Sequence, residues 1–144
     1  MKKIITSIFI FLIATSLWPY DFKIGDLEYR IVDSLQIPYS VEVCGADSMI
    51  TFADIPSSVI NAEDTFVVVG VASSTFKDCD SLRSVAIPGT IKYIEERAFH
   101  NTPVYKDKDN WHDGVLYVDD CIIEGKNISS IDYIAPKGTR LIAD

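Results

Sequence analysis

The stretch Val71-Ala-Ser-Ser-Thr-Phe76 recurs further along the chain as Ile94-Glu-Glu-Arg-Ala-Phe99. Between the two copies, the run Leu82-Arg-Ser-Val85-Ala-Ile87-Pro88 has apolar residues at positions i, i+3 and i+5 and ends on a proline. A fixed period in the low twenties is typical of a solenoid, in which each unit buries its apolar face only by stacking on a neighbour. The sequence therefore predicts a β-rich repeat fold.

Runs of this apolar kind recur at three places. They are Ile50-x-x-Ala53-x-Ile55-Pro56, the run at 82–88, and a degenerate Tyr133-x-Ala135-Pro136. Proline has no N–H to donate, so it fits where a strand ends and the chain turns. We interpret each run as one short strand of a repeat unit.

Two further strand segments lie between these runs. An apolar strand is predicted over Phe66–Val71, after the polar loop 61–64. A β-hairpin is predicted from Val115–Val118 and Cys121–Ile123, which Asp119-Asp120 joins. This hairpin is interpreted as an insertion into the repeats near residues 105–125.

Residues 21–49 lack the repeat motif and are predicted to form an N-terminal antiparallel strand cap. Apolar residues alternate with polar ones on both sides of the turn pair Gly25-Asp26, and the alternation resumes after Pro38. A repeat stack requires such a cover over the apolar side of its first unit.

The full pattern I-x-x-x-A-F-x-x-C-x-x-L-x-x-V-x-I-P resembles the BspA-like bacterial leucine-rich repeat. Here it reads Val71-x-x-x-Thr75-Phe76-x-x-Cys79-x-x-Leu82-x-x-Val85-x-Ile87-Pro88 and restarts at Ile94-x-x-x-Ala98-Phe99. The resemblance covers residues 50–144 well. Thr75 departs from the usual alanine, and Thr102-Pro103 stands where a second Cys-x-x-Leu would begin.

The resemblance implies a leucine-rich-repeat solenoid over residues 50–144. The last repeat is expected to be incomplete, because Ile142-Ala-Asp144 aligns with Ile94-Glu-Glu96 at the end of the sequence. The implied function is adhesin-like binding of a host-matrix or neighbouring-cell protein at the bacterial surface, without catalysis, metal or cofactor. The alternative is a truncated or assembly fragment that self-associates, its unfinished C-terminal repeat docking on another chain.

Residues 1–16 are predicted to be a signal peptide, although cleavage could fall as late as residue 20. Lys2 and Lys3 precede an apolar run at Ile4–Leu17, which is shorter than the roughly 20 residues a membrane span needs. The expected location is secreted or cell-surface, with the periplasm also open and no membrane attachment after cleavage. An uncleaved N-terminal anchor is the alternative.

The charge balance disfavours a nucleic-acid partner. The chain has 13 Lys and Arg against 21 Asp and Glu, a formal net charge of −8. An acidic surface without a Lys/Arg cluster repels a phosphate backbone.

Cys44, Cys79 and Cys121 are an odd number of cysteines in an exported chain, and their spacing matches no zinc motif. We expect buried thiols, with one disulfide plus a free thiol as the alternative. A thiol–imidazole pair of Cys121 with His112 has no local support and no orienting third residue, so no enzymatic activity is predicted.

Two sets of side chains are candidates for partner binding. Trp111, Tyr105 and Tyr117 lie on or beside the inserted hairpin, and aromatic residues bury large contact areas at low entropic cost. The alternative for Trp111 is packing on the flank of the solenoid. Arg83, Ser84 and Ala86 form a second set, because Val85 and Ile87 would point inward along their strand.

Overall fold

The computed structural model describes residues 19–126 and 137–141, and these residues form a β-rich fold with very little helix. The strands are β1 (Phe22–Ile24), β2 (Leu27–Asp33), β3 (Tyr39–Ala46), β4 (Phe52–Asp54), β5 (Ser58–Asn61), β6 (Asp64–Val71), β7 (Ser84–Ala86), β8 (Tyr93–Ile94), β9 (Trp111–His112), β10 (Val115–Val118), β11 (Cys121–Gly125) and β12 (Arg140–Leu141). One helical turn, α1 (Pro103–Lys106), and a 3-10 turn at Lys108–Asn110 lie between β8 and β9.

Three of the sequence-based expectations lie outside the described residues. They are the signal peptide at 1–16, the degenerate third run at 133–136 and the incomplete repeat start at 142–144.

The N-terminal strands form one antiparallel segment that leads directly into a parallel one. β1 and β2 pair antiparallel around Gly25, whose φ of 58° suits a tight turn, and β2 pairs antiparallel with β3. β3 then pairs in parallel with β6. One strand of the 21–49 region is therefore also the first strand of the parallel ladder.

Parallel pairing joins corresponding strands along the chain into two ladders. β3, β6 and β8 form the first, in which Val43, Val71 and Ile94 lie side by side. β4 and β7 form the second, with Ala53 opposite Val85. All five of these side chains belong to the buried core, so each ladder covers one side of that core.

The repeat period is visible in the backbone itself. Ser74 and Arg97 both have positive φ, at 59° and 60°, and so do Asp78 and Asn101, at 63° and 66°. A non-glycine residue rarely adopts such a conformation, so two matched pairs mark two copies of one loop. The copies also contact each other, because the Asn101 amide donates to the Asp78 carboxylate at 2.7 Å.

Stacked phenylalanines join the two copies in the core. The rings of Phe76 and Phe99 lie parallel, with an interplanar angle of 5° and centroids 5.3 Å apart. The Phe76 amide donates to the Ala98 carbonyl at 2.8 Å, and both rings are buried. Burial of large aromatic rings makes this contact a main contributor to stability.

Beyond His100 the second copy departs from the first. Thr102 occupies the register position of Cys79 and is fully buried, with its hydroxyl donating to the Phe99 carbonyl at 2.7 Å. Lys108 and Asn110, which occupy the register positions of Val85 and Ile87, form the 3-10 turn instead of a strand. Polar side chains cannot line the core, so the second ladder does not continue through this segment.

Side chains bind the backbone at the edge of β7 where another strand could pair. The Asp119 carboxylate accepts the Ile87 N–H at 2.9 Å, and the Arg140 guanidinium donates to the Pro88 carbonyl at 2.8 Å. Arg140 is held in place by Asp120, whose carboxylate accepts from Nε at 2.8 Å. The backbone hydrogen-bonding groups at the β7 edge are therefore partly paired without another strand.

A buried carboxylate on β3 is neutralised across the first sheet. Glu42 accepts from Arg30 Nε at 2.7 Å and from the Tyr93 hydroxyl at 2.8 Å. Tyr93 reaches it by lying across Gly70, where a Cβ would clash with the ring. A side chain at position 70 would displace Tyr93, so this close approach requires glycine.

Candidate partner-binding site

Tyr105 and Trp111 come together at the point where the second copy departs from the repeat. Their rings meet edge to face, with an interplanar angle of 90° and centroids 5.5 Å apart. The Trp111 indole Nε1–H donates to the Tyr105 carbonyl at 2.7 Å. Both side chains are half-buried, so each packs on the fold and still presents a surface to solvent.

The segment between them is ordered by local caps. Thr102 caps α1, its hydroxyl accepting the Tyr105 N–H at 3.2 Å, and Pro103 occupies the start of the turn. The Asp107 carboxylate caps the 3-10 turn by accepting the Asp109 N–H at 3.0 Å. Residues 106–114, which are polar apart from Trp111, therefore form a series of short turns that fixes the Tyr105 and Trp111 backbones.

A second tight turn places Trp111 in a strand. Asp113 and Gly114 have φ values of 51° and 83°, which suit the hairpin turn between β9 and β10. Leu116, which is fully buried, lies directly opposite Trp111. Trp111 thus lies on the core side of the edge strand β9 rather than in a polar loop.

Lys126 completes the cluster. Its ammonium lies 4.5 Å from the centroids of both the Tyr105 and Trp111 rings and 3.3 Å from the Glu124 carboxylate. It also donates to the Tyr105 hydroxyl, which in turn donates to Glu124 at 3.2 Å. The hydrogen bond with Tyr105, followed by that with Glu124, raises the pKa of Lys126, so the side chain is a cation at neutral pH.

Two cavities flank this cluster, and Tyr105 and Lys126 line both. The first, of about 450 Å³, lies between the Ile94–His100 segment and the hairpin residues Ile123 and Glu124. The second, of about 590 Å³, lies on the Trp111 side and is lined by Tyr105, Lys106, Lys108, Trp111, Asp113, Gly114 and Lys126. Both volumes fall in the range of small-molecule pockets, and the second cavity is the more open to solvent.

Tyr117, the third aromatic candidate, lies apart from this cluster. Neighbouring residues of a strand point to opposite faces, so Trp111 and His112 diverge. Tyr117 packs against the His112 ring, with centroids 5.7 Å apart. The hairpin therefore presents Trp111 and Tyr117 on different sides.

Arg83, Ser84 and Ala86 lie on or beside β7, in the second ladder. Ser84 and Arg83 are exposed and Ala86 is half-buried. Sequence reasoning missed their neighbour Phe52, which lies opposite Ser84 and has half of its surface exposed. Aligning the run at 50–56 with the run at 82–88 would have placed Phe52 there.

The three cysteines are free thiols, and their environments disfavour reactivity. Burial, and then the hydrogen bond to Asp120, raises the pKa of Cys121 to about 12. Burial raises the pKa of Cys44 to about 11 and also raises that of Cys79. A thiolate is the reactive form, so these thiols are poor nucleophiles at neutral pH. Cys79 and Cys121 are buried as expected, whereas Cys44 is only half-buried.

The thiol–imidazole pair is not assembled. In the sheet order β12-β11-β10-β9, Cys121 is on β11 and His112 on β9, with β10 between them. Within residues 19–126 and 137–141, no three His, Cys, Asp or Glu side chains converge to hold a metal ion. The same ranges contain no helix with the length and apolar character needed to cross a membrane.

Comparison with solved structures relates the fold to bacterial leucine-rich repeat proteins. The chain is similar to a leucine-rich repeat protein from Bacteroides ovatus, with 28% identity and a TM-score of 0.51 over 57% of this chain. That match covers 21% of the other protein, so the chain spans about a fifth of its length. A leucine-rich repeat protein from Bacteroides capillosus matches 54% of this chain and 72% of its own, with 20% identity and a TM-score of 0.41.

Comparisons based on sequence add no assignment. No family model matches the chain, and no curated protein matches it.

Proposed function

We propose that this protein is an exported, BspA-like bacterial leucine-rich-repeat module that binds another protein in an adhesin-like role at the cell surface. The repeat register and the likeness to the Bacteroides ovatus protein support a repeat solenoid. The predicted signal peptide supports export to the surface, the medium or the periplasm. Binding would bury aromatic and apolar surface within a polar rim, without bond chemistry.

One observation carries the proposal: Tyr105 and Trp111 form an ordered edge-to-face pair between two cavities. Interface energy concentrates in a few aromatic and arginine anchors that seat in pockets on both partners. Their backbones are fixed by caps and turns, so little conformational entropy is lost when a partner binds.

The test is binding of the immobilised chain, without residues 1–16, to a panel of purified matrix proteins and to whole cells. We expect saturable binding to at least one of them, weakened about tenfold or more by Trp111→Ala. Tyr117→Ala is the matched control, because it removes an aromatic ring from the other side of the same hairpin. Far-UV circular dichroism checks that both variants keep the fold.

Two results would overturn the function or its assigned site. One is no binding to any member of the panel. A different result would overturn the assigned site but not the function: binding that Trp111→Ala and Tyr105→Ala leave unchanged while Arg83→Ala or Ser84→Lys abolishes it, which would move the site to the second ladder.

A second function is favoured by the position of the cavity beside the Ile94–Phe99 copy. This cavity lies on the side of that copy that faces away from the Val71–Phe76 copy, where another repeat unit could stack. Self-association through this face is the alternative role. It predicts dimers or larger species in sedimentation velocity that a change at the exposed residue Glu96, Glu96→Arg, disperses, and a monomer at every concentration would exclude it.

A further inference from the structure

We propose that the larger cavity, beside Trp111, binds an acidic segment of the partner polypeptide. Carboxylates of that segment would meet Lys106, Lys108 and Lys126, and an adjacent apolar side chain would pack on the Trp111 indole. The inference rests on the proposed function, because it names the chemistry of the partner at the same site.

The charge of the cavity is opposite to that of the chain. The chain carries a formal net charge of −8, yet the described charged residues that line this cavity are three lysines and one aspartate, Asp113. Complementary potentials steer partners and select among them, so a lysine-rimmed cavity on an acidic protein favours an anionic segment.

Two of the three ammonium groups are available. Lys106 and Lys108 are exposed and form no ion pair with any of the residues that the structure describes. Asp107 and Asp109 alternate with them along the chain, but the Asp107 carboxylate is engaged in capping the 3-10 turn. The unpaired lysines can therefore receive partner carboxylates without first breaking an internal pair.

Lys126 belongs to both the charged and the aromatic part of the cavity lining. Its ammonium lies over the Trp111 ring, whose face attracts a cation, it donates to the Tyr105 hydroxyl, and it is about half-exposed. A partner carboxylate can contact this ammonium from the solvent side while the rings stay in place. The same segment can then place an apolar side chain on Trp111, which is why an acidic residue next to an apolar one is the expected motif.

The choice of lysine also bears on the ligand. Lysine presents a point charge on a flexible stem, whereas arginine presents a planar fork that matches one oxyanion in a fixed geometry. Among the described residues, no arginine lines this cavity. Individual point charges on flexible stems suit several carboxylates spaced along a polypeptide better than a single phosphate or sulfate group.

The experiment is selection of a display library of short random linear peptides on the immobilised chain without residues 1–16. We expect enrichment of Asp and Glu next to aromatic or large aliphatic residues. The best peptide is then synthesised, together with a form in which Gln and Asn replace Glu and Asp, and their affinities are measured by calorimetry at two salt concentrations. The neutral form is expected to bind at least about tenfold more weakly, with a smaller salt dependence.

Variants of the protein locate the effect. Lys106→Gln with Lys108→Gln is expected to weaken the acidic peptide about 3- to 10-fold. Lys77→Gln with Lys92→Gln is the matched control, since it removes the same charge from two exposed lysines outside the cavity. The control is expected to change affinity less than about twofold.

Each other outcome overturns a defined part of the proposal. Enriched peptides that need Trp111 but show no acidic bias would refute this inference and leave the proposed function intact. Equal weakening by both lysine pairs would reduce the effect to net charge. Binding of heparin, lost in Lys106→Gln with Lys108→Gln, without binding of acidic peptides would make this a polysaccharide site. No enriched peptide and no binding to the protein panel would refute the proposed function itself.

Discussion

Residues 71–88 and 94–111 occupy the same repeat register but end in different secondary structure. Both copies begin with the same loop and bury a phenylalanine in the same stack. The first then continues into strand β7, while the second turns outward through α1 and the 3-10 turn. The repeated part of the sequence thus forms the stacked core. The candidate binding site lies where the second copy stops following the repeat pattern.

The physical reason lies in two pairs of matched register positions. Leu82 is fully buried, whereas its counterpart Tyr105 is half-buried and turned toward Trp111. Val85 points into the core, whereas its counterpart Lys108 is exposed. A charged side chain cannot replace a buried valine without a large desolvation cost, so the chain leaves the stack.

The largest expected effect comes from the contact that the two copies share. Phe76→Ala and Phe99→Ala should each lower the free energy of unfolding by about 3–5 kcal/mol, because each leaves a cavity in the stacked core. The rings touch, so the double variant should cost less than the sum. Urea denaturation of the three variants measures this, and strictly additive losses would show that the two copies do not stack on each other.

Matched truncations sharpen the contrast between the copies. Leu82→Ala should cost about 2–5 kcal/mol of stability, because it empties a fully buried site. Tyr105→Ala, at the same register position, should cost only about 1–2 kcal/mol but should weaken partner binding. Denaturation and binding measured on both variants separate the two roles. A stability loss for Tyr105→Ala as large as that for Leu82→Ala would contradict the distinction.

Thr102 marks the residue at which the copies diverge. Thr102→Val removes both the cap of α1 and the hydrogen bond to Phe99, and should cost about 1–2 kcal/mol. Thr102→Ser keeps the hydroxyl and is the control, with an expected loss smaller than that of the valine variant. If valine is tolerated as well as serine, the cap does not hold the divergent segment in place.

The two copies should differ in how their contribution to the free energy of unfolding depends on pH. The difference should be small near neutrality and larger above about pH 9. Burial raises the pKa of Cys79, Cys44 and Cys121, so the folded state holds these protons more tightly than the unfolded state does. The stability that these tightly held protons contribute to the folded state is complete below the unfolded thiol pKa of about 8.5. It is lost as pH rises from there through the folded pKa. Burial also raises the pKa of Tyr29 to about 12, which acts in the same direction.

The copy at 94–111 has threonine where Cys79 stands, so this position contributes to the alkaline loss in one copy alone. Cys79→Ala should make the decline in unfolding free energy between about pH 8.5 and about pH 11 shallower than in the unchanged protein. A decline of identical slope in both proteins would show that Cys79 titrates alike in the folded and unfolded states.

Local patterns accounted for the strands but not for the cluster. Alternating apolar residues predicted strands at Val115–Val118 and Cys121–Ile123, where β10 and β11 lie, and placed Val85 and Ile87 inward, where both are buried. Each of these depends on side chains close in sequence, for which the strand period is a sufficient signal.

Lys126 and Glu124 could not have been assigned to Trp111 and Tyr105 in the same way. They reach the rings only through the register of β9, β10 and β11, and a shift of one residue would turn them to the other face. The pattern of residues 106–114 is polar and aperiodic, so caps and tight turns, rather than hydrophobic periodicity, decide its shape.

The claim that the divergent copy forms the binding site can be tested most directly through the fluorescence of Trp111. The chain has two tryptophans, so Trp18→Phe leaves Trp111 as the sole reporter. On titration with a bound partner or the selected acidic peptide, we expect a saturable change in emission whose midpoint matches the calorimetric Kd. Saturable heat of binding with an unchanged Trp111 emission spectrum would contradict the claim.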